Sequence, residues 1–370
     1  MSQSSNEAPK RNNNSKHRWL IVSAILIIII AGTLIWWFGD QRAPEIASFD
    51  EDSLENDAVA PEEEVSITDL SDRELGRFYT ILVVGYDQIG ANTDTMMVAR
   101  FDTVEKKLNI VSIPRDTLVN VSWPDKKINS IYLAKGESID GLKKGVEDIL
   151  GFKVDSYAFV DTLAFEKIVD CVGGIFFDVP CDMHYYDPVQ DFRIDIDKGY
   201  QWLSGENALK VCRYRNTYPM GDIDRIGVQQ DFLKAAIPQI LSLGNALKAP
   251  ELLGIILDNL QTDLSFGNMK WYITKLLSMQ PEDISFMLMP ANTCCLINGG
   301  SYVSIYVDDW MEMVNTYLNP LNTAIKPENC NILYQIAAEP SKYTITPSNY
   351  VVTNGIPVAG GVNSFYKFKP

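Results

Sequence analysis

The hydrophobic pattern of the chain is dominated at its start by one long apolar run. Residues 19–38 read WLIVSAILIIIIAGTLIWWF, twenty residues without a charge. As a helix rising about 1.5 Å per residue, this run matches a hydrocarbon core of about 30 Å. Tryptophans lie at both ends, where an interfacial aromatic belt belongs. The pattern predicts one transmembrane helix over 19–38.

From residue 78 onward, short apolar runs alternate with helical periodicity. The pattern predicts strands over 78–87, 93–102, 107–116, 157–161 and 173–180, with an extended stretch over 211–215. It predicts helices over 140–150, 162–171, 204–209, 222–243, 268–279 and 308–318. Strands interleaved with helices indicate an α/β fold, a central, mostly β-sheet covered by helices on both faces.

Charge fixes the expected orientation in the membrane. The chain has 370 residues and a formal net charge of −16, which argues against a nucleic-acid-binding protein. Residues 1–18 hold four bases against one acid, whereas residues 40–64 hold ten acids against one base. The positive-inside rule therefore places the amino terminus in the cytoplasm and the rest outside. A cleaved signal peptide would instead have a shorter apolar region and a small-residue cleavage site.

These features predict a single-pass cell-membrane protein with an extracellular domain. The acidic stretch lacks the apolar periodicity that folding requires, so we expect it to hold the domain away from the membrane. The predicted division is a cytoplasmic tail (1–18), a transmembrane helix (19–38), an acidic stalk (39–76), a catalytic domain (77–320) and a C-terminal extension of unclear role (321–370).

Histidine and cysteine usage excludes several kinds of site. The two histidines, His17 and His184, cannot build a multi-histidine zinc centre. The six cysteines show no CxxC spacing, and several lie in apolar stretches. We therefore expect most of them to be buried thiols, although an even number in an extracellular protein also allows disulfides.

Two carboxylates lie at neighbouring strand ends. Asp87 ends the first predicted strand, and Asp94 lies at the start of the second. Such a pair can converge on a hard cation such as Mg²⁺. Aspartates at these positions are also common loop caps, so both interpretations stay open.

Basic residues cluster in two places that suit an anionic ligand. Arg115 follows a predicted strand in SIPRDT, and Lys127 lies shortly downstream. Ligands of open α/β sheets bind at the carboxyl ends of strands, where these residues are expected. A surface ion pair is the alternative.

The second basic cluster lies within RYR and the helix that follows. If 211–215 is extended, Arg213 and Arg215 point to the same side. Asp222 belongs to the same cluster, and on the helix that begins near it Arg225 and Gln229 are one turn apart and share a face. Arginine grips phosphate oxygens in a bidentate manner, and the flanking apolar residues favour an anion pocket over a solvated surface.

Taken together, these segments resemble the LytR–CpsA–Psr family of cell-wall glycopolymer transferases. The resemblance spans about 160 residues, from about Thr80 to Leu243, and its pieces keep the family's order. They are VVGYD with TDTMM, NIVSIPRDT, KINSIY, VDCVGGIFFDVP, GYQWLSGENALKVCRYR and GDIDRIGVQQ.

The resemblance implies a long hydrophobic pocket for a polyprenyl chain. It also implies transfer of a phosphoglycan from an undecaprenyl (polyprenyl) pyrophosphate carrier to a peptidoglycan hydroxyl, in a Gram-positive type of envelope. Asp87 and Asp94 would bind Mg²⁺, and together with Arg115 they would form the catalytic group. The pyrophosphate would be bound by Arg115, Lys127, Arg213, Arg215, Arg225 and Gln229.

Two positions depart from the family's pattern. Asn92 stands where the family usually has arginine two residues before the aspartate of TDT, and Val228 stands where another arginine often precedes Gln229. Each difference removes a charge-assisted contact of about 1.5–3 kcal/mol. The alternatives to a glycopolymer transferase are therefore a non-catalytic polyprenyl-phosphate-binding protein and a polyprenyl pyrophosphate hydrolase.

Overall fold

The computed structural model describes eight segments of the chain: residues 41–46, 72–74, 76–87, 92–188, 192–242, 248–297, 300–335 and 350–354. The predicted transmembrane helix lies outside these segments. None of the helices within them has both the length and the apolar character needed to cross a bilayer.

A six-stranded mixed sheet forms the centre, in the order β10-β3-β2-β1-β4-β9. Strands β1, β2 and β3 are antiparallel neighbours, whereas β4 pairs parallel with β1, and β10 pairs parallel with β3. The short β9 pairs antiparallel with β4 at the edge. Its strands are β1 (Phe78–Asp87), β2 (Asn92–Asp102), β3 (Lys107–Ile113), β4 (Ser156–Asp161), β9 (Leu260–Thr262) and β10 (Ile284–Leu288).

Four two-stranded ribbons accompany this sheet, pairing β5 with β8, β6 with β7, β11 with β12, and β13 with β14. Every one of the four is antiparallel. Their strands are β5 (Ile175–Val179), β6 (Met183–Asp187), β7 (Phe192–Ile196), β8 (Gly199–Leu203), β11 (Ala291–Ile297), β12 (Gly300–Ile305), β13 (Leu333–Gln335) and β14 (Tyr350–Val352).

Helices pack around the central sheet. Several begin at a residue whose side chain accepts a hydrogen bond from the first turn, as Ser138, Asp161, Ser204 and Ser265 do. The helices are α1 (Ser130–Ala134), α2 (Ile139–Leu150), α3 (Thr162–Cys171), α4 (Gly205–Arg213), α5 (Asp222–Ile240), α6 (Ala249–Asn259), α7 (Phe266–Leu277) and α8 (Val307–Met313).

Two main hydrophobic clusters form the interior. The larger one joins the sheet to α2 and α8, with Trp310 fully buried in it. The second packs α3, α4 and α5 against the β5–β8 and β6–β7 ribbons, around Phe232. This arrangement confirms the predicted α/β fold with a central sheet flanked by helices. The five cysteines whose side chains are described are free thiols, and four of them are buried.

The expectation of an extended stretch over 211–215 is wrong. Helix α4 continues to Arg213, and only Tyr214 adopts an extended conformation, as its C-cap. The helix persists because Ala208, Val211 and Cys212 share one buried face that packs into the second cluster. Strand alternation therefore does not relate Arg213 to Arg215.

The folded part of the chain begins before residue 77. Arg73 is buried and donates from both terminal nitrogens to the Asp155 carboxylate, at 2.6 and 2.5 Å. Asp155 also accepts hydrogen bonds from the backbone N–H and the hydroxyl of Thr80. Earlier in the chain, the backbone of Arg42 forms hydrogen bonds with the first turn of α7. Parts of the predicted stalk therefore belong to the folded domain.

The packing shows no division at residue 320. Ile325, Cys330 and Ile332 are buried in the larger cluster, beside residues of the central sheet. Leu333 and Val352 pair across β13 and β14 and are also buried. Leu333 and Val352 belong to a smaller, separate cluster with Tyr302, so the described part of the C-terminal segment packs into two hydrophobic clusters of the domain.

Candidate active site

A cavity of about 570 Å³ opens at one edge of the central sheet. Its walls come from the carboxyl-terminal ends of β1, β3 and β4, from the start of β2, and from helices α3, α4 and α5. Apolar side chains line its inner part: Val83, Met97, Val160, Phe165, Leu209, Phe232 and Leu233. This is the edge at which the sequence places its candidate site.

Polar residues also line the cavity. Six of the eight residues predicted for the site line it: Asp94, Arg115, Arg213, Arg215, Arg225 and Gln229. Asp87 pairs through its backbone with Asn92 at the end of β1, and its side chain lies outside the described part of the chain. An apolar chamber therefore borders on four arginines and a carboxylate.

A β-bulge directs Asp94 to the cavity. Gly85 pairs with Thr95, whereas the next residue, Tyr86, pairs with Thr93, so Asp94 has no partner on β1. A bulge bends the strand and re-aims the extra side chain. Asp94 keeps 36% of its side chain exposed while it lines the cavity.

Arg115 lies between two carboxylates. Its Nη1 is 2.5 Å from Oδ1 of Asp94, and its Nε is 3.4 Å from Oδ1 of Asp222. Burial acts to lower the pKa of Arg115, but Asp222 and Asp94 outweigh it and raise the pKa. The guanidinium is thus held as a cation with a fixed orientation at the polar end of the cavity.

Among the four arginines that line the cavity, Arg225 is the most deeply buried, with 5% of its side chain exposed. Its Nη2 lies 2.7 Å from Oδ1 of Asp222 and donates to the backbone oxygen of Asp94 at 2.9 Å. Asp94 has no register partner on β1, and this hydrogen bond ties the bulge to α5. Burial raises the pKa of Asp222, although Arg225 and Arg115 pull it down.

Asp222, which the sequence placed in the second basic cluster without a specific role, lies between two arginines of the site. Both of its carboxylate oxygens are buried and lack a well-aligned hydrogen bond, so charge attraction holds the group in place. The Nε atoms of Arg115 and Arg225 are likewise buried without a hydrogen-bond partner. One carboxylate therefore sets the spacing of two arginines, whose summed charge it only partly neutralises.

Two glutamines connect the elements around the cavity. Gln229 donates to the backbone oxygen of Cys212 at 3.0 Å and lies 3.4 Å from the hydroxyl of Thr95. Gln230 donates to the hydroxyl of Ser112 and to the backbone oxygen of Met287. Gln229 is therefore partly structural, and Gln230 is a lining residue that the sequence reasoning missed.

Arg213 and Arg215 reach the cavity by different routes. Arg213, in the last turn of α4, lies over the ring of Phe192 at 5.1 Å. Arg215 follows the helix and is exposed at the mouth. The β6–β7 ribbon contributes Tyr185, Asp187, Phe192 and Ile194 to the wall. Two sequence signals could have predicted this ribbon: the aromatic residues of β6 (MHYYD) and the alternation of apolar and polar residues in β7 (FRIDI).

Lys127 lies outside the set of cavity-lining residues. Its Nζ is 2.8 Å from Oδ1 of Asp116 and lies 5.5 Å above the ring of Tyr302. The ammonium group of Lys127 is therefore already paired with Asp116. The predicted contact between Lys127 and pyrophosphate stays a prediction.

The donor set decides whether Mg²⁺ is compatible with the site. No group of three or more histidine, cysteine, aspartate or glutamate side chains suited to a metal occurs within the described segments. Mg²⁺, however, is usually bound through one or two carboxylates plus substrate phosphates and water. Asp94 is partly exposed to the cavity and lies beside several arginines, so it suits a Mg²⁺ ion that is also bound by substrate phosphates.

A model of the LytR_cpsA_psr family matches residues 46–319, about three quarters of the chain. The chain belongs to the LytR–CpsA–Psr family. The match includes every residue of the candidate site and the whole central sheet.

Curated relatives are similar over part of their length. The chain is 30% identical over 200 residues to "Polyisoprenyl-teichoic acid--peptidoglycan teichoic acid transferase TagU" of Enterococcus faecalis, covering 52% of this chain and 63% of that one. It is 28% identical over 235 residues to TagV of Bacillus subtilis, a transferase of the same description, covering 61% and 58%. "Biofilm regulatory protein A" of Streptococcus mutans is 28% identical over 247 residues, covering 60% and 59%. The matches thus span less than two thirds of these relatives.

Solved structures share the fold. B. subtilis TagV superposes with a TM-score of 0.56 and 26% identity, over 65% of this chain and 95% of that one. TagT bound to LIIa-WTA gives a TM-score of 0.55 and 24% identity, over 67% and 92%. The family's central sheet and its surrounding helices are therefore present here.

Proposed function

We propose that the protein is a membrane-anchored, extracellular phosphotransferase of wall glycopolymers. It would move a phosphoglycan, such as teichoic acid or capsule, from a polyprenyl pyrophosphate carrier to a peptidoglycan hydroxyl. One observation carries the proposal: an apolar cavity of about 570 Å³ ends at four arginines and a partly exposed aspartate. An amphiphile with a hydrocarbon tail and a doubly charged head matches both ends of such a cavity.

The apolar end supports a lipid donor. Phe165, Phe232 and Leu233 belong to facing helices and line the chamber together. Transfer of apolar surface from water to such a chamber contributes roughly 25 cal/mol per Å². Isoprenoid units bound there would hold the pyrophosphate at the arginines.

The polar end supports phosphoryl transfer. The acceptor oxygen would attack the phosphorus that carries the glycan, and the bond from that phosphorus to the bridging oxygen would break. Polyprenyl monophosphate would leave, and the acceptor proton would pass to a carboxylate, for which Asp94 and Asp87 are the candidates. Arg115 and Arg225 would neutralise charge on the phosphate oxygens, which is the main requirement of this chemistry.

We include Mg²⁺ in the proposal as the cofactor. Asp94, with Asp87 at the end of the neighbouring strand, would hold it, and the ion would supply charge neutralisation on the pyrophosphate oxygens. The donor set fits a cation that shares its coordination with substrate phosphates.

The relatives named as teichoic acid transferases support this reaction class. The proposed location is the outer face of a cell membrane, with residues 19–38 as the anchor and the amino terminus in the cytoplasm. That topology rests on the apolar run and on the charge difference between its flanks. Lipid-linked donors and peptidoglycan would both be accessible there.

A fluorescent polyprenyl pyrophosphate–linked glycan tests the proposal directly. Joining of the label to peptidoglycan fragments supports transfer. Release of lipid monophosphate with a free phosphoglycan would make the protein a hydrolase, and stoichiometric retention without turnover would make it a binding protein. Chelation by EDTA and re-addition of Mg²⁺ in the same assay tests the metal separately.

A further inference from the structure

The β5–β8 ribbon has an unusual division between its two sides. Its inner side chains, among them Phe177 and Leu203, are buried against α5, and the Phe177 ring lies 5.5 Å from that of Phe232. Its outer side carries Phe176, Tyr200 and Trp202, which are 48%, 74% and 51% exposed. We call these three residues the aromatic face. Exposed aromatic clusters of this kind mark binding surfaces.

The aromatic face is held in a fixed geometry. Phe176 and Trp202 are register partners across the ribbon, and the rings of Phe176 and Tyr200 are nearly parallel, 17° apart with centroids at 5.8 Å. The indole N–H of Trp202 donates to the backbone oxygen of Gly173 at 2.9 Å. Rings fixed in this way lose little conformational freedom on binding a ligand.

Glycine makes the position of Trp202 possible. A Cβ added to Gly174 would lie 2.2 Å from Nε1 of Trp202, so the indole rests directly on the backbone there. The positive φ of Gly174, +79°, favours glycine for a second reason. Since one edge of the indole is covered, the exposed half of the side chain is largely its ring surface.

The α5 helix braces the same strand from its edge. The amide of Gln239 accepts a hydrogen bond from the backbone N–H of Phe176 and donates one to its backbone oxygen, at 3.0 and 3.1 Å. The free edge of β5 at Phe176 is thereby occupied by a side chain, and this edge is not open for strand addition. A ligand of the ribbon must therefore bind its face.

The charges around the aromatic face indicate which class of ligand it can bind. Four strand side chains point outward on this ribbon, and Asp178 is the one among them that is charged. In the turn before β8, Asp197 and Lys198 offset each other. An anionic membrane surface or a polyphosphate would require a basic cluster. A neutral ligand suits this face.

Sugar rings match both kinds of group present. The C–H side of a pyranose ring carries partial positive charge and packs on the negative face of an aromatic ring. The Asp178 carboxylate, directly opposite Tyr200 in the ribbon, can accept hydrogen bonds from sugar hydroxyls. Three side chains are too few for a stable protein interface, which takes roughly 20–30 residues a side.

We propose that the aromatic face is a docking site for a neutral glycan strand, namely the N-acetylhexosamine backbone of the wall acceptor. The identity of this glycan as the acceptor rests on the proposed function. Phe177, on the buried side of the same ribbon, packs against Phe232, which lines the cavity. A strand docked on the aromatic face would therefore be bound by the domain that forms the donor cavity without occupying that cavity.

Binding of two probes by the full chain tests the proposal. One is a soluble β-1,4-linked N-acetylglucosamine hexamer, titrated by calorimetry, and the other is purified sacculi stripped of glycopolymer, used in co-sedimentation. Tyr200→Ala should weaken both interactions about tenfold, the upper range of one ring-stacking contact. Tyr306→Ala is the matched control, because Tyr306 is 51% exposed but lies at the start of α8. It should bind both probes like the wild type.

Three results would overturn the proposal. The first is equal glycan affinity in wild type, Tyr200→Ala and Trp202→Phe. The second is binding to phosphatidylglycerol vesicles that is lost in Tyr200→Ala while the glycan probes do not bind. The third is a dimer that Tyr200→Ala dissociates. Arg215→Ala separates this inference from the proposed function, because it should weaken donor binding and transfer without destabilising the fold, and should leave the hexamer's affinity unchanged.

Discussion

Nη1 of Arg115 lies 2.5 Å from Oδ1 of Asp94, so the proposed phosphate ligand and the proposed metal ligand are paired before any substrate binds. The two side chains are only partly buried, with 20% and 36% of their surface exposed. A pyrophosphate entering the cavity would compete with Asp94 for the same guanidinium. Under the proposed function, donor binding would rearrange this pair and free the Asp94 carboxylate for the proposed cation.

Asp94→Asn tests that coupling. The amide keeps the size of the side chain but loses its charge, so we expect the transfer rate to fall by about 10²-fold or more. The midpoint of thermal unfolding should change little, because the pair is partly exposed and such pairs contribute about 0–1 kcal/mol. Turnover and melting are measured on the same preparation. Equal turnover in both proteins, unaffected by EDTA, would leave Asp94 as a turn-stabilising residue.

Arg215→Ala and Arg225→Ala should differ in stability. Both are expected to weaken donor binding, since each removes a charge-assisted contact of about 1.5–3 kcal/mol. Arg225→Ala also leaves Asp222 buried without its 2.7 Å partner, which costs about 3–5 kcal/mol in comparable sites. Exposed Arg215 has no such role. Urea unfolding with donor titration checks both; equal stability of the two variants would contradict this assignment of Arg225.

Truncation before residue 77 should destabilise the domain. Removing residues 1–76 deletes Arg73 and leaves the buried Asp155 carboxylate without its arginine partner, at a cost of about 3–5 kcal/mol. Removing residues 1–71 keeps the pair and should give a distinctly higher unfolding midpoint. Arg73→Ala in the longer fragment is the control and should reproduce most of the loss. Identical midpoints for the two fragments would show that the pair adds nothing.

Glu147→Gln should make stability less dependent on pH. Burial raises the pKa of Glu147 above its ordinary value of 4.5, even though the carboxylate accepts a hydrogen bond from the N–H of Val154. The wild type therefore loses stability as pH rises from about 4.5 through the raised pKa. The glutamine oxygen can still accept that hydrogen bond. Denaturation at pH 4 and pH 7 should show the variant gaining on the wild type at the higher pH.

Asn92→Arg tests the departure from the family's pattern. Arginine at this position, two residues before Asp94, should raise donor affinity or the transfer rate, by roughly 10- to 100-fold for one charge-assisted contact of about 1.5–3 kcal/mol. Val228→Arg is a parallel variant, on α5 next to Gln229. Lower activity in both variants would indicate that this chain's pocket is adapted to a donor with fewer charges.

Local sequence patterns predicted four of the six strands in the central sheet, β1 to β4, and most helices, because their burial is periodic. The two outer strands, β9 and β10, were not predicted. The helix predicted over 162–171 corresponds to α3 with the same bounds, and the strand over 157–161 differs from β4 by one residue. Failure at 211–215 had a physical cause: RYR looks extended, but the buried face of α4 continues through Cys212. Tertiary packing decided that segment.

The sequence predicted most residues of the site but not the contacts between them. Asp94, Arg115 and Arg225 were found from residue type and position, and the structure brings them together. Asp222 was not assigned a role, because only the fold shows that it lies between two arginines. Arg73 was placed in the stalk, since an ion pair with a residue 82 positions away leaves no local signal.

The Arg73–Asp155 pair also determines how the domain would bear a mechanical load. Asp155 immediately precedes β4, and its carboxylate also binds Thr80 in β1, which runs parallel to β4. Tension on the chain before residue 72 is therefore shared by two neighbouring strands and acts along their length. Their interstrand hydrogen bonds resist such shear together instead of opening one after another. If the proposed membrane anchor is correct, a load passed from the membrane along the preceding chain would reach the domain at this pair.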